Sequence, residues 1–231
     1  LYHDGLFDDT RLLVTLARTA AGLGGVPLNY AEVVGLEKNG GHLSGVQVRD
    51  HEHDRSFDVP ARAVVNATGP FADRVRRMDD PEAASCIVPS QGIHLVLDRS
   101  FLPGDSGLLI PSTDDGRVLF AIPWHDRLLV GTTDTPVEEA DIEPRPLQKE
   151  IDYLIAHIGR YLTEPPTRED VRSTFAGLRP LVKMPSESTE KDTSEISRDH
   201  TVMVSESGLI TVAGGKWTTY RKMAEDTIDQ A

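Results

Sequence analysis

The stretch Leu209–Met223 reads Leu-Ile-Thr-Val-Ala-Gly-Gly-Lys-Trp-Thr-Thr-Tyr-Arg-Lys-Met and predicts a strand, a tight turn and a helix. Its apolar residues 209–213 are typical of a short buried strand, and Gly214-Gly215 would let a ligand approach the backbone closely. A helix start leaves N–H groups unpaired and carries partial positive charge, to which Lys216 adds a full one. The stretch therefore predicts either a cradle for an electron-rich ligand or an ordinary strand–turn–helix with a surface lysine.

The composition predicts a soluble globular protein that does not bind nucleic acid. The 231 residues are 39% hydrophobic, carry a formal net charge of −13 and contain no basic stripe. The single cysteine, Cys86, excludes a disulfide within the chain and indicates a reducing compartment; we interpret it as a packed residue rather than a nucleophile. No apolar run approaches the ~20 residues of a membrane span. The histidines lack metal-ligand spacing, so we expect no metal.

The first part of the chain predicts helix, strand, meander, strand, glycine turn and helix. Asn39-Gly40 between alternating segments is a strong hairpin signal. Gly22–Gly25 looks like a dinucleotide fingerprint, but it follows a helix rather than a strand, so we reject it. Ligands in open α/β sheets lie at the carboxyl ends of strands, where Gly69 and Gly214 both stand. The predicted elements are a helix that runs to about Ala21 with N-cap candidates at Asp8-Asp9-Thr10, strands at Val26–Tyr30, Glu32–Lys38, Leu43–Arg49 and Arg55–Val59, a strand buried on both faces at Ala63–Ala67, and a helix at Phe71–Met78.

Residues 87–172 predict a mostly antiparallel sheet with one helix packed on it. Pro144 and Pro146 lie near the start of this helix, and Pro165-Pro166 is expected to end it. Residues 186–197 are polar and predict an exposed loop. The predicted strands are Ile87–Leu97, Gly107–Ile110, Val118–Pro123 and Arg127–Gly131, followed by Val171–Gly177 and Thr201–Val204, and the helix presents Ile151, Leu154, Ile155, Ile158 and Leu162 on one face.

Several segments, in order along the chain, resemble the aerobic, FAD-dependent glycerol-3-phosphate dehydrogenase family, a branch of the D-amino-acid-oxidase-like flavoproteins. The most specific is Gly-Gly-Lys-x-Thr-Thr-Tyr-Arg at 214–221. The family's Gly-rich turn for the FAD pyrophosphate, its early substrate-binding arginine and its later helical domain have no counterpart here. We therefore expect a central fragment that binds FAD poorly alone. The other segments are 2–5 with 8–12, 65–73, 90–96, 130–136, 175–181 and 197–200.

The resemblance implies an α/β (α+β) fold with two kinds of domain. Residues 1–86 would form part of a Rossmann-like FAD-binding domain with a β-meander, and residues 87–172 an antiparallel-sheet substrate domain. Residues 173–231 would return to the FAD-binding domain.

The resemblance also implies a reaction. FAD would take a hydride from C2 of glycerol 3-phosphate, giving dihydroxyacetone phosphate, and a quinone would accept the electrons. The parent is expected to be cytoplasmic, with peripheral attachment to the inner face of the membrane. Two alternatives stay open: an amine or 2-hydroxy-acid oxidase of the same fold, and a binding or scaffold module that has lost catalysis.

By resemblance, four side chains form the catalytic site. Arg179 and Arg198 would bind the substrate phosphate, because a guanidinium matches phosphate oxygens. His94 would bind substrate or accept a proton. Lys216 would face the flavin pyrimidine edge and stabilise the reduced flavin. The alternatives are, in the same order, a structural salt bridge, a surface arginine, a packed histidine and a solvated lysine.

The cofactor contacts implied by the resemblance are mainly backbone contacts. Ala67, Thr68 and Gly69 would pass the FAD phosphates or ribose, and Val33 would contact adenine. Gly214, Gly215, Trp217 and Thr218 would surround the flavin edge together with Lys216. Thr132, Thr133 and Asp134 either border the active site or form a plain β-turn.

Overall fold

A computed structural model describes residues 3, 5–114, 116–183 and 199–231. None of the helices in these ranges is long and apolar enough to cross a membrane. The helices are α1 (Asp9–Gly22), α2 (Ala72–Asp79), α3 (Gln148–Ile158) and α4 (Tyr220–Ile228). The strands are β1 (Ala31–Asn39), β2 (His42–Asp50), β3 (Arg55–Pro60), β4 (Val64–Asn66), β5 (Ile87–Asp98), β6 (Leu108–Ile110), β7 (Leu119–Trp124), β8 (Arg127–Gly131), β9 (Thr135–Pro136), β10 (Ser173–Val182), β11 (His200–Val204) and β12 (Leu209–Gly214). Short 3-10 turns span Gly69–Phe71, Arg99–Phe101, Arg168–Asp170 and Trp217–Thr219.

The predicted meander is confirmed as an antiparallel sheet of β1, β2 and β3. Asn39 pairs with His42, and Gly40 and Gly41 make the turn between them with φ of 60° and 87°. Only glycine adopts such angles at little cost, which is why the Asn-Gly-Gly sequence places the hairpin here.

The predicted second sheet is also confirmed, with strand order β10-β5-β8-β7-β6 and β9 paired to β5. Its main core lies between this sheet and α3. The predicted apolar face of α3 is confirmed, but the helix ends at Ile158, well before Pro165-Pro166. The residue that follows is Gly159, which is a poor helix former. The buried core residues are Ile93, Leu95, Leu97, Ile110, Leu119, Ala121, Leu128, Val130, Leu154, Ile158 and Leu162.

The third sheet joins distant parts of the chain. β12 pairs antiparallel with β11 and parallel with β4, with Leu209 opposite Val64 and Thr211 opposite Asn66. The strand predicted at Ala63–Ala67 is therefore present, but its predicted burial on both faces is wrong, because Val65 is 41% exposed.

The strand predicted at Val26–Tyr30 is wrong. These residues have no regular secondary structure, and Val26 is 78% exposed. Tyr30 has a φ of 54°, an angle that a continuing strand does not allow. No strand in the described part of the chain lies alongside to supply the hydrogen bonds that an extended segment needs. The helix before it is confirmed, although no residue of α1 is buried.

Asp73 ties α2 to the beginning of β5. Its Oδ2 accepts from the backbone N–H of Cys86 at 2.9 Å and of Ile87 at 3.0 Å, and its Oδ1 accepts from Arg76 at 2.7 Å. Burial acts to raise the pKa of Asp73, but these hydrogen bonds outweigh it and hold the pKa below its ordinary value. Burial and the Asp73 carboxylate raise the pKa of the Cys86 thiol to about 11, so Cys86 is a packed, protonated residue at neutral pH.

β10 connects the two cores. It pairs with β5 along its whole length, from Ser173 opposite Val96 to Val182 opposite Ile87. Ala176 packs on the core under α3, whereas Val182 belongs to the second buried cluster with Ala72, Cys86, Ile87 and Ala213. The division of the chain at residues 86 and 172 remains a prediction, since β10 belongs to the second sheet and also reaches the other core.

Candidate active site

The two predicted glycine turns lie at the same edge of the third sheet. β4 and β12 are parallel, and their last paired residues are Asn66 and Thr211. Gly69 and Gly214 each follow that pair by three positions, and both have positive φ. The carboxyl ends of parallel strands meet at one edge, so the structure brings these turns together. The Gly69–Phe71 turn also lies against β5, β10 and β12.

The buried side chain of Asn66 shapes the first turn. Its Oδ1 accepts from the Thr68 hydroxyl at 2.7 Å, and its Nδ2 donates to the Ala72 carbonyl at 3.0 Å and to Thr211 Oγ1 at 3.3 Å. A Cβ built on Gly69 would meet no atom within 4 Å, so this turn faces open space. Sequence reasoning did not assign Asn66 a role, although Asn two residues before Thr is a recognisable side-chain turn pattern.

The second turn requires both of its glycines. A Cβ on Gly214 would lie 2.6 Å from the Asp199 carbonyl oxygen, and one on Gly215 would lie 2.5 Å from Met223 Sδ. Residues 216–219 are exposed, as a ligand-facing segment must be. The predicted helix after the glycines is present: a 3-10 turn at Trp217–Thr219 leads into α4, and the Lys216 N–H lies 3.3 Å from Thr219 Oγ1.

These turns fit the cofactor that the resemblance implies. Ala67 and Thr68 are exposed beside Gly69, and Lys216, Trp217 and Thr218 are exposed beside Gly215. Backbone that is open on one side at a strand end, followed by a helical turn, can receive phosphate oxygens or the edge of a flat ring. These residues would therefore hold the FAD at this edge. Gly22–Gly25, by contrast, lie at the end of α1 and open no helix.

Arg179 and His94 lie on one face of the second sheet. His94 is opposite Phe175 on β10, and Arg179 is opposite Ser90, four residues earlier on β5. Positions an even number of residues apart share a sheet face. The Arg179 guanidinium lies over Gly92, since a Cβ there would be 2.5 Å from its terminal nitrogen. Gly92 and His94 are two residues apart, roughly 7 Å along the strand.

Neighbouring residues hold the His94 ring. It stacks on Phe175 with ring centroids 4.9 Å apart, and a Cβ on Gly131 would lie 2.3 Å from its Cδ2. Burial lowers the pKa of His94 below its ordinary value, and the positive charge of Arg179 lowers it further, against a smaller opposing effect of Asp9. The imidazole is therefore neutral at pH 7 and can accept a proton.

The segment after β8 contacts Arg179. The guanidinium donates to Thr132 Oγ1 at 3.1 Å and lies 3.7 Å from Asp134 Oδ1. The peptide bond between Gly131 and Thr132 is cis. Thr133 instead points to the other side, where its hydroxyl accepts from the Ile93 N–H at 3.0 Å. Of the two interpretations of residues 132–134, the structure supports a segment that borders the site.

Of two further predicted residues, the structure describes Val33 but not Arg198. Arg198 lies outside the described residues. Val33, on β1, is half-buried and follows Glu32, which accepts a hydrogen bond from Arg74 of α2 at 2.8 Å. This ion pair brings the start of the meander to the helix that follows the Gly69 turn. The adenine contact of Val33 remains a prediction.

Three potential metal ligands lie at the turn between β2 and β3. Single ligand atoms of Asp50, Glu52 and His53 come within 4.8 Å of one another. Asp50 Oδ2 is already 2.9 Å from His53 Nδ1 and accepts from Arg55 Nε at 3.1 Å. The absence of a metal stays a prediction.

Gly92→Ala should displace the Arg179 guanidinium, because the new methyl group would occupy its position. Gly177→Ala is the matched control: Gly177 pairs with Gly92, and a Cβ there would meet no atom within 4 Å. We expect a crystal structure of the Gly92→Ala variant to show Arg179 moved by more than 1 Å and that of Gly177→Ala to show it unmoved. An unmoved guanidinium in Gly92→Ala would contradict the tight contact described above.

Comparisons with known proteins agree with this geometry. The family model described as DAO, FAD dependent oxidoreductase, matches residues 1–221. The human mitochondrial glycerol-3-phosphate dehydrogenase is 45% identical over 100% of this chain and 32% of its own length. The enzyme of that name from Schizosaccharomyces pombe is 42% identical over 100% of this chain and 38% of its own. The chain thus spans about a third of the curated relatives it matches.

Two solved structures share the fold of this chain. The glycerol-3-phosphate dehydrogenase from Bacillus halodurans, complexed with FAD, superposes with a TM-score of 0.83 and 36% identity over 96% of this chain and 42% of that one. The L-alpha-glycerophosphate oxidase from Mycoplasma pneumoniae, with FAD bound, has a TM-score of 0.67 at 18% identity over 93% of this chain and 53% of that one, which supports the fold alone. The fold, the placement of the glycine turns and the family match together show that this chain belongs to the DAO family of FAD-dependent oxidoreductases.

Proposed function

We propose that this chain is part of an enzyme that binds FAD and oxidises glycerol 3-phosphate to dihydroxyacetone phosphate. The relatives that match it end to end at 42–45% identity carry that dehydrogenase name. The observation that carries the proposal is the placement of a guanidinium and a neutral imidazole on one face of the second sheet, whose strands β5 and β10 contact the Gly69–Phe71 turn. A three-carbon phosphate can bridge these two groups.

Arg179 supplies the charge for the phosphate. Its planar fork can give two parallel hydrogen bonds to phosphate oxygens, which orients the substrate as well as binding it. Its side chain is 27% exposed, so the charge acts in a partly desolvated setting where it is screened less than at the surface. Arg198 is proposed as the second cation on the strength of the resemblance alone.

His94 accepts the proton of the C2 hydroxyl. Its lowered pKa keeps the ring neutral at pH 7, and its stacking on Phe175 fixes the ring plane. Bound FAD would supply the acceptor for the hydride that leaves C2. Lys216 is exposed at the Gly214-Gly215 turn. It would place a positive charge at the pyrimidine edge of the flavin, which becomes more negative when the flavin is reduced.

We also propose that a quinone accepts the electrons and that the parent is cytoplasmic, peripheral on the inner face of the membrane. The dehydrogenase names of the relatives support an acceptor other than oxygen. The location rests on the resemblance alone. Quinone reduction measured against oxygen consumption tests the acceptor directly.

Arg179→Ala in the full-length protein should raise KM for glycerol 3-phosphate by about 10- to 100-fold, the equivalent of one charge-assisted hydrogen-bonded contact. Flavin content should stay unchanged. Arg172→Ala, which removes an exposed arginine paired with Asp98 at the far end of the β5–β10 pair, is the control and should leave KM unaltered. Loss of flavin with an unchanged KM would show that the assigned role is wrong.

Flavin bleaching by amino acids, but not by glycerol 3-phosphate, would favour an amine oxidase.

At saturating substrate, kcat should fall as the pH drops through a midpoint below 6.5, the ordinary value for histidine. The sign follows from the lowered pKa: protonation, which removes the acceptor, occurs only at lower pH. Saturating substrate limits interference from the phosphate, which itself titrates near pH 6. His94→Gln should lose this dependence and about 10²- to 10⁴-fold in rate. His42→Gln, at the exposed β1–β2 turn, should keep both.

Lys216→Met should lower the flavin midpoint potential by on the order of tens of millivolts, because one positive charge near the reduced ring is lost. The anaerobic rate of flavin reduction should fall with it. Lys222→Met is the control, because Lys222 is held by Glu225 and Asp226 on the exposed side of α4. A potential that is the same in Lys216→Met and in the unmodified protein would rule out the proposed contact.

A further inference from the structure

We propose that Asp134, assisted by Thr132, is the positioning residue that holds the Arg179 guanidinium over Gly92 in the orientation that receives a phosphoryl group. The inference rests on the proposed function, because it assigns Arg179 to the phosphate. Asp134 itself acts through Arg179.

Asp134 is a buried carboxylate with a fixed position. Only 9% of its surface is exposed, and its Oδ1 accepts a hydrogen bond from the hydroxyl of Ser90, which is fully buried. Ser90 lies directly opposite Arg179 in the β5–β10 pairing. The same Oδ1 lies 3.7 Å from a terminal nitrogen of Arg179. The carboxylate is thus held by the strand pair from which the arginine extends.

The segment that carries Asp134 is anchored to helix α3. Glu150 of α3, 3% exposed, accepts from the hydroxyls of Thr133 at 3.0 Å and Thr135 at 2.7 Å, the residues on either side of Asp134. It also accepts from Gln91 Nε2 at 2.8 Å. A buried network whose members are all satisfied is rigid. The backbone that carries Asp134 is therefore fixed, and turning its carboxylate away from Arg179 would break the hydrogen bond with Ser90.

Two contacts restrict the guanidinium. One terminal nitrogen donates to Thr132 Oγ1 at 3.1 Å, and the other lies 3.7 Å from Asp134 Oδ1, so one hydrogen bond and one ion pair with described residues hold the fork over the sheet. A free arginine side chain has about 2 kcal/mol of rotamer entropy to lose on binding. Fixing the fork beforehand removes part of that cost, and misplacement by about 1 Å is enough to weaken a directed contact severely.

Orientation and electrostatics predict opposite effects when Asp134 is removed. A carboxylate beside the site repels a phosphate, so its loss would tighten phosphate binding if Asp134 acted only through its charge. If Asp134 positions Arg179, its loss must weaken binding instead. The sign of the change therefore separates the two roles.

The test uses the full-length, FAD-loaded protein and inorganic phosphate as the probe, with Kd read from the flavin difference spectrum. Asp134→Ala should raise this Kd and the KM for glycerol 3-phosphate roughly tenfold, with kcat within about twofold and flavin content unchanged. Asp134→Asn should have a smaller effect, because its amide oxygen can still accept from Ser90. Asp98→Asn is the matched control: Asp98 also joins β5 to an arginine, Arg172, but at the far end of the strand, and its loss should change neither quantity.

A double-variant cycle completes the test. In an Arg179→Ala background, Asp134→Ala should have no further effect, since Asp134 acts through Arg179. Tighter or unchanged phosphate binding in Asp134→Ala, with Arg179→Ala still weakened, would overturn the inference and leave the proposed function standing. An Arg179→Ala variant with normal phosphate binding would instead overturn the proposed function. If Asp134→Ala does not fold, Thr132→Val must weaken binding and Thr132→Ser must restore it; otherwise the inference fails.

Discussion

The parallel pairing of β4 with β12 is the constraint on which the rest of the site depends. It joins residues about 145 positions apart through a strand of only three residues, with Asn66 opposite Thr211. Closing so long a loop costs entropy that three backbone pairs do not offset. The buried Asn66 adds hydrogen bonds to Thr211 and to the start of α2, and the cluster around Ala213 adds apolar burial. This pairing places both glycine turns at one edge.

Glycines at the site have two different purposes. At Gly214 and Gly215 they permit a positive φ and close backbone contacts that any Cβ would block. At Gly92 and Gly131 the backbone is extended, and the missing side chain makes room for the guanidinium of Arg179 and the ring of His94. The sheet face is therefore shaped by the side chains it lacks. Larger residues would lift the two polar groups away from their positions on the strands.

The sequence predicted what depends on local pattern and missed what depends on distant contacts. The Asn-Gly-Gly turn, the apolar face of α3 and the strand–glycine ends at 69 and 214 were all predictable, because each is encoded within a few residues. The strand at Val26–Tyr30 was wrong, since apolar residues make a strand only where a partner lies alongside. The contacts of Asp134 with Ser90 and Arg179 join residues 44 and 45 positions apart, and no spacing rule connects them. Arg198 belongs to the part of the chain that the structure does not describe.

The charge of the chain explains why orientation matters at this site. With a formal net charge of −13, the protein as a whole repels a phosphate dianion. At physiological ionic strength this repulsion is screened beyond ~8 Å, so it weakens the approach more than the final contact. Within that distance, binding depends on directed hydrogen bonds from a guanidinium that is partly withdrawn from water. A neutral His94 next to Arg179 adds no competing cation and can still accept a proton. If Arg179 binds the substrate phosphate as proposed, selectivity among the described residues would come from a well-held guanidinium rather than from a general excess of positive charge.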